Sequence, residues 1–152
     1  EISNDNCPGQ VVISGKKKQI DACCVKIKEQ LSKKSINLPV SAPFHCKLMK
    51  PAAEEMKSLI LNSTFRQPQI PIVSNVTAKD ETVIEIIKNL LIEQIYSRVR
   101  WREIIEFMIK KNVKQIYEIG PGKSLSAMIK RFDSNINLQN FNSVEELKHL
   151  KN

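Results

Sequence analysis

The chain has 152 residues, of which 41% are hydrophobic and 26% charged, which excludes a disordered segment and indicates a globular domain of ordinary size. No apolar run approaches the roughly 18 to 20 residues that cross a bilayer, and the N-terminal residues show no signal-peptide pattern, so a cytoplasmic protein without a membrane partner is predicted. The net charge of +8 fits an acidic protein partner, a phosphate-bearing ligand or compositional drift alone, whereas 5% aromatic residues argue against a nucleic-acid partner.

The first third of the chain predicts a strand, a helix and a second strand. Residues 4–10 are turn formers, and residues 11–15 (Val-Val-Ile-Ser-Gly) follow as a short buried strand that ends at glycine. Apolar residues then recur at helical spacing from residue 16 to about residue 33, and the apolar run 38–42 predicts the second strand. Together these elements predict a βαβ-like unit, which in most cases crosses over right-handed.

His45 lies on a predicted turn between two elements. It follows Pro43 at the end of the strand 38–42, and Pro51 then opens an amphipathic helix that runs to about residue 62. A turn on a rigid scaffold can present a proton-transferring group to a cleft. His45 is therefore the first candidate for chemistry, with a surface-turn histidine of no catalytic role as the alternative.

The four cysteines do not predict a metal site or a disulfide framework. They are Cys7, Cys23, Cys24 and Cys46, and none belongs to a Cys-x-x-Cys pair. Cys46 follows His45 directly, which raises the alternative of a cysteine nucleophile with a histidine base. Neighbouring residues of an extended chain point to opposite sides, so proton sharing between these two side chains is disfavoured.

The remainder of the chain alternates short strands with amphipathic helices. The predicted elements are a strand at 72–74, helices at 82–96 and from 101 onward, a strand at 113–119, a helix at 125–132, and a short strand and helix between 135 and 152. Pro71, directly before the strand 72–74, predicts a strand start or an edge position. Trp101 is predicted to be a core anchor.

The turn at residues 120–124 invites a P-loop interpretation, because Gly122-Lys123-Ser124 at the start of a helix is half of that motif. The motif also requires a glycine five positions before Gly122, where this chain has Tyr117. A loop this short and bulky does not wrap phosphates. The two glycines are better explained as a tight turn from strand to helix.

Four segments resemble the malonyl-CoA:acyl carrier protein transacylases. They are Asn-x-Asn-Cys-Pro-Gly-Gln-Val-Val-Ile-Ser-Gly from residue 4, Pro-Val-Ser-Ala-Pro-Phe-His-Cys from residue 39, Pro-Ile-Val-Ser-Asn-Val from residue 71, and Glu-Ile-Gly-Pro-Gly-Lys-Ser-Leu from residue 118. They stand in the family's order and spacing. One departure is Arg98, which occupies the place of a proline in the family's Pro-Val-x-Trp segment.

The resemblance implies an α/β fold. The chain would be the C-terminal part of an α/β-hydrolase-like acyltransferase fold, together with part of the ferredoxin-like subdomain inserted in it. Residues 1–47 would belong to the ferredoxin-like small subdomain, and residues 48–152 to the large subdomain.

The resemblance also implies a reaction, namely malonyl transfer from malonyl-CoA to the phosphopantetheine thiol of acyl carrier protein in fatty acid synthesis. It would proceed through a malonyl-serine ester, without a cofactor. By position, His45 would be the catalytic base and the backbone carbonyl of Gln94 would orient it, while Asn6 and Gln10 would line the acyl pocket. Phe44 would bind substrate and favour malonyl over a branched unit, with simple packing as the alternative.

The family's nucleophile is missing from these residues. The sequence contains no Gly-x-Ser-x-Gly elbow, no Phe-Pro-Gly-Gln-Gly segment, and no arginine following a nucleophilic serine. It begins with Glu rather than Met, so a fragment is predicted that requires the N-terminal half of the same enzyme as a partner. Alone it is expected to be inactive and poorly stable. The alternative is a non-catalytic remnant that binds at most acyl carrier protein or coenzyme A.

Overall fold

Helices and short strands alternate along the chain in a computed structural model that describes residues 1–148. The elements are β1 (Ile2–Cys7), β2 (Gln10–Ile13), α1 (Lys17–Leu31), α2 (Lys50–Asn62), β3 (Ile72–Val73), β4 (Asp80–Glu81), α3 (Ile84–Glu93), α4 (Trp101–Lys110), β5 (Gln115–Ile119), α5 (Ser124–Ile129), β6 (Asn137–Phe141) and α6 (Val144–Leu147). The predicted strand and helix of the tail are thus β6 and α6, except for residues 149–152, which lie outside the described residues. No helix within the described range is both long and apolar enough to span a membrane.

The described strands form three two-stranded sheets. β1 pairs with β2 and β3 with β4, both antiparallel, while β5 and β6 are parallel from Gln115 opposite Asn137 to Ile119 opposite Phe141. A parallel pair joined through a helix is the unit from which α/β folds are built. The predicted α/β class is therefore observed in the second half of the chain.

The prediction of a turn over residues 4–10 is wrong. Most of this segment belongs to β1, and only Pro8-Gly9 turns the chain into β2, with Gly9 at a φ of +78°. Asn and Asp are depleted in strands, but β1 also hydrogen-bonds with Val99, which donates to the Ser3 carbonyl at 2.8 Å. These tertiary partners outweigh the local propensity. The hydrogen bonds between β1 and Val99 also join residues on both sides of the predicted domain boundary at residue 47. The boundary stays a prediction.

The predicted strand at 38–42 is absent, and the βαβ-like unit is therefore wrong too. α1 follows β2 as expected, but residues 33–40 are without regular structure, and Leu38 and Val40 are exposed. Pro39 and Pro43 each lack the N–H group that a ladder needs, and no described strand lies alongside. Instead, β1 and β2 form an antiparallel hairpin before α1, and no described strand after α1 returns to pair with them.

The best-packed core lies between α4, α5 and the parallel β5–β6 sheet. Ile105, Ile129 and Ile136 are almost completely buried, and the side chains packed against them are Trp101, Ile109, Ile116, Phe132 and Leu138. The predicted role of Trp101 as a core anchor is confirmed. By contrast, α1 buries none of its residues.

One face of the parallel sheet and the free edge of β5 are open. Within the described residues β5 pairs only with β6, and Ile119 and Tyr117 of β5 are 66% and 45% exposed. Parallel sheets are normally covered on both faces and rarely end after two strands. This face of β5 is therefore less covered than that of a usual parallel strand.

Candidate functional site

His45 occupies a sharp turn immediately before a helix. A 3-10 helix at Lys47–Met49 leads from the turn into α2, with Pro51 in the first helical turn, as predicted. The backbone of His45 has a φ of +58°, in the left-handed region that non-glycine residues seldom adopt. Such a conformation costs about 1 kcal/mol or more and occurs preferentially at functional sites. The strained backbone is therefore a second argument that His45 is functional, in addition to its position on a turn.

The imidazole of His45 meets a backbone carbonyl from a distant element. Its Nδ1 lies 2.9 Å from the carbonyl oxygen of Gln94, 49 residues further along the chain. A carbonyl oxygen only accepts hydrogen bonds, so Nδ1 carries the proton and donates it. In the neutral ring, Nε2 is then unprotonated and free to accept a proton.

Gln94 presents this carbonyl because α3 ends there. Its own N–H donates to the Leu90 carbonyl at 2.9 Å, while its carbonyl is among the last ones of a helix, which have no partner within the helix. Its side-chain Oε1 accepts only a long hydrogen bond, at 3.5 Å, from Asn75 Nδ2. The main chain of Gln94, rather than its side chain, therefore contacts the histidine.

Asn6 and Gln10 come together on the β1–β2 hairpin, but at a separate hollow. The residues that line this open hollow are Asn6, Gln10, Ser124, Ala127, Met128 and Arg131. Neither His45 nor Gln94 lines it, and no hydrogen bond among the described residues joins Asn6 or Gln10 to His45. The resemblance implied that Asn6 and Gln10 line the acyl pocket, and that role stays a prediction.

Phe44 stands directly before the histidine with its side chain 45% exposed. A half-exposed aromatic ring beside a candidate catalytic group is available to a ligand, and it is not needed to fill the core. Its predicted contact with substrate stays a prediction.

Ion pairs fix the segment that connects Gln94 to α4. Arg100 bonds to both oxygens of Glu103 and donates from Nη1 to the Val76 carbonyl at 3.0 Å. Arg98, which replaces the family's proline, reaches Glu103 Oε1 at 3.1 Å. The hydrogen bond from Arg100, with its positive charge, holds the pKa of Glu103 below its usual range. An ion-pair network thus stabilises a turn for which a proline was expected.

A second ion pair ties β1 to the same region. Arg102 donates hydrogen bonds from Nε and Nη2 to the carboxylate of Asp5, with the closest approach at 2.6 Å between Nη2 and Oδ2. The hydrogen bond from Arg102 is the main reason why the pKa of the buried Asp5 is lowered. Two residues 97 positions apart in the sequence are thereby joined.

Glu118 stabilises the strand-to-helix turn that resembles a P-loop. Its two oxygens accept from the backbone N–H groups of Leu125 and Ser126 at 3.0 and 2.8 Å, and from Asn140 Nδ2 at 2.7 Å. Partial burial raises the pKa of Glu118, but these hydrogen bonds together lower it below its usual range. Gly120 and Gly122 have φ values of +138° and +95°, so they are turn glycines, as predicted.

These carboxylates predict a loss of stability in acid. Asp5, Glu103 and Glu118 all have a pKa that is lower in the folded chain than in the unfolded one. Their contribution is therefore complete above the unfolded values of 3.8 for Asp and 4.5 for Glu, and it is lost as pH falls through the folded values. The urea midpoint should stay level from neutral pH to about pH 5 and then decline.

Glu118→Gln supplies the control, because glutamine keeps the shape but does not titrate in this range. The variant should be less stable than the parent at neutral pH, and the difference should shrink in acid. A constant difference between the two chains at every pH would contradict the assignment.

Solved structures with the same fold are malonyl transferases. An acyl carrier protein S-malonyltransferase from Vibrio cholerae matches with a TM-score of 0.91 and 42% identity, over 99% of this chain and 49% of that one. A malonyl-transacylase solved in complex with its type II PKS acyl-carrier protein matches with a TM-score of 0.90 and 38% identity, over 97% of this chain and 48% of that one.

A curated relative agrees with the structures. The malonyl CoA-acyl carrier protein transacylase of Staphylococcus aureus is 40% identical over 148 residues, which is 97% of this chain and 48% of the relative. The chain belongs to the malonyl-CoA:acyl carrier protein transacylase family. It spans about half the length of the curated relatives that it matches, and corresponds to their C-terminal half. No protein-family model matches it.

The predicted fold class is thereby confirmed as part of the transacylase fold. The structure adds two side chains that the transacylase resemblance did not single out. Arg131 lines the hollow beside Asn6, with its Nη1 3.3 Å from Cys7 Sγ, and Cys46 is buried next to His45. Arg131 and Cys7 are 124 positions apart, so no local pattern relates them. Cys46 could have been singled out from the sequence, because it directly follows the histidine.

Proposed function

We propose that this chain supplies the proton-transferring histidine of malonyl transfer from malonyl-CoA to the phosphopantetheine thiol of acyl carrier protein, in fatty acid synthesis. The observation that supports it is the 2.9 Å contact between His45 Nδ1 and the Gln94 carbonyl, which leaves Nε2 free for a proton. A base of this kind is what a hydroxyl nucleophile requires, because the hydroxyl is weak until its proton is removed.

In the proposed mechanism, a serine hydroxyl attacks the thioester carbonyl of malonyl-CoA while Nε2 of His45 takes the hydroxyl proton. The imidazolium then returns that proton to the departing coenzyme A sulfur, which leaves a malonyl-serine ester. In the second half, Nε2 takes the proton of the carrier-protein thiol as its sulfur attacks the ester, and gives it back to the serine oxygen. Throughout, the Gln94 carbonyl holds Nδ1–H and stabilises the charged ring.

The serine, the oxyanion hole and the group that binds the malonyl carboxylate are assigned to polypeptide outside these 152 residues, which contain no Gly-x-Ser-x-Gly. The open edge of β5 and its exposed Ile119 support a contact with further protein there. Acyl carrier protein is the proposed second partner, since a relative is solved in complex with one and this chain has a net charge of +8. The acyl group arrives as a thioester, so no cofactor is proposed.

Asn6 and Gln10 are proposed to bind polar groups of the substrate from their hollow, where Arg131 adds a positive charge. An amide pair beside a guanidinium suits the amides and phosphates of a pantetheine arm.

The test is complementation. The chain is mixed with the N-terminal half of a malonyl-CoA:acyl carrier protein transacylase, and malonyl transfer to carrier protein is measured. We expect transfer in the mixture and none from either half alone, because the histidine and the serine are both needed. If the halves form a complex that stays inactive while this chain alone binds carrier protein or coenzyme A, the chain is a non-catalytic binding fragment and the proposal is wrong.

Phe44 provides a prediction about substrate choice. Its ring, next to the base, is proposed to crowd the α-carbon of the acyl group and to exclude an added methyl. Phe44→Ser in the complemented enzyme should raise the ratio of kcat/KM for methylmalonyl-CoA to that for malonyl-CoA by about tenfold, the size of effect that a methyl group has in an apolar pocket. Leu48→Ser, also an exposed apolar residue beyond the turn, is the control. An unchanged ratio in the Phe44 variant would assign the ring to packing alone.

A further inference from the structure

Cys46 is one of the most deeply buried side chains, although it follows a half-buried histidine on a turn. It is 1% exposed, and its Sγ lies 3.1 Å from the carbonyl oxygen of Pro43. Its own carbonyl accepts from the N–H of Met49 at 2.9 Å and so begins the 3-10 helix. Cys46 therefore joins the turn to the element that follows it.

The thiol takes the place of a missing backbone bond. A four-residue turn is often closed by an N–H of its last residue that donates to the carbonyl of its first. Among the described residues, no backbone bond of this kind joins Cys46 to Pro43, and the Pro43 carbonyl is reached by the sulfur instead. Between these two residues lies His45 with its φ of +58°. A strained conformation persists only where the surroundings hold it.

We infer that Cys46 is a positioning residue for His45: its thiol donates to the Pro43 carbonyl, closes the turn, and thereby aims Nδ1 of the imidazole at the Gln94 carbonyl. The catalytic consequence rests on the proposed function, whereas the positioning of the ring does not. The same geometry speaks against Cys46 as a nucleophile, because its proton is directed to a carbonyl and its sulfur is shielded from any substrate.

Substitution can separate two properties of the Cys46 side chain, its hydrogen-bond donor and its volume. Cys46→Ser keeps a donor at nearly the same place, while Cys46→Val fills the site without a donor. Cys46→Ala serves as a second donor-free variant if valine does not fold. Far-UV circular dichroism shows which variants retain the fold.

The tautomer of His45 is the readout. The chain has two histidines, so His149→Gln leaves a single imidazole, and ¹⁵N labelling of histidine distinguishes protonated from unprotonated ring nitrogens at alkaline pH, where free imidazole is neutral. The parent and Cys46→Ser should show the Nδ1–H form. In Cys46→Val or Cys46→Ala the ratio of Nδ1–H to Nε2–H forms should fall about tenfold, the equivalent of one lost hydrogen bond.

A donor-free variant that retains the Nδ1–H form, or a serine variant that loses it, would overturn the inference. In the complemented enzyme, the donor-free variants should lose kcat with little change in KM, and serine should restore it. If the tautomer changes as expected but no variant, parent included, transfers malonyl groups, then the positioning stands and the proposed function fails. The two outcomes are therefore distinguishable.

Discussion

His45→Ala is expected to reduce malonyl transfer by about a thousandfold in an enzyme assembled from this chain and the N-terminal half of a relative, which is the usual range of a general acid–base group. Without Nε2, no group of this turn removes the proton from the attacking hydroxyl or returns it to the leaving sulfur. The loss should lie in kcat for the transfer to acyl carrier protein, measured at saturating malonyl-CoA, because the histidine acts on protons and not on ground-state binding.

Gln94→Ala is the matched control, since it changes the side chain of the residue that bonds His45 but keeps the carbonyl that makes the bond. The contact uses the Gln94 carbonyl, and the side chain adds only a 3.5 Å hydrogen bond from Asn75. Alanine retains the carbonyl, so most of the activity should remain. Equal losses in the two variants would show that the Gln94 side chain has a role that the main-chain contact does not explain, and the assignment of His45 would lose its basis.

Much of the fold could be predicted wherever the signal is local. α4 begins at Trp101, as its amphipathic pattern predicts, and the glycines of the turn at 120–123 have the positive φ values that their residue type permits. The helix after His45 begins as Pro51 indicates. In each case one short stretch of sequence contains both the apolar periodicity and the residue that ends or begins the element.

The predictions failed where distant partners decide the structure. β1 is polar, with Asn4 and Asp5 at its centre, and its pairing with β2 is supported by hydrogen bonds with the distant Val99 and by the ion pair between Asp5 and Arg102. Conversely, residues 38–42 have strand-like composition but no described neighbour with which to pair. No pattern within a window of ten residues shows that Val99 and Arg102 contact β1, or that residues 38–42 have no described neighbouring strand.

The contact between His45 and Gln94 was predicted, but not from any local signal. Neither periodicity nor spacing relates two residues 49 positions apart, and the expectation came only from resemblance to the transacylases. What the resemblance did not predict is how the turn holds the histidine. The φ of +58° and the buried Cys46 thiol are visible only once the backbone is known.

The largest effect on stability is expected from Ile105→Ala. Ile105 has no exposed surface and packs with Ile129 and Ile136 in the core between α4, α5 and the parallel sheet. Removing three carbons from such a site loses their transfer free energy and leaves a cavity, at a cost of about 3 kcal/mol. That is a large part of the stability of an ordinary domain, typically about 5 to 15 kcal/mol. Urea unfolding of the chain, followed by circular dichroism, measures the difference.

Ile70→Ala is the control, because it removes the same atoms from a side chain that is 76% exposed, and it should change the free energy of unfolding by no more than about 0.5 kcal/mol. Ile105 contacts neither His45 nor Gln94 among the hydrogen bonds described, and its side chain belongs to the core between α4, α5 and the parallel sheet. At temperatures where the complemented variant is folded, the activity per folded molecule should match the parent, since His45 and its carbonyl partner are intact. Similar stability losses for both isoleucine variants would mean that the core between α4 and β5 is not packed as described, and that the exposed and buried faces of this half of the fold have been wrongly distinguished.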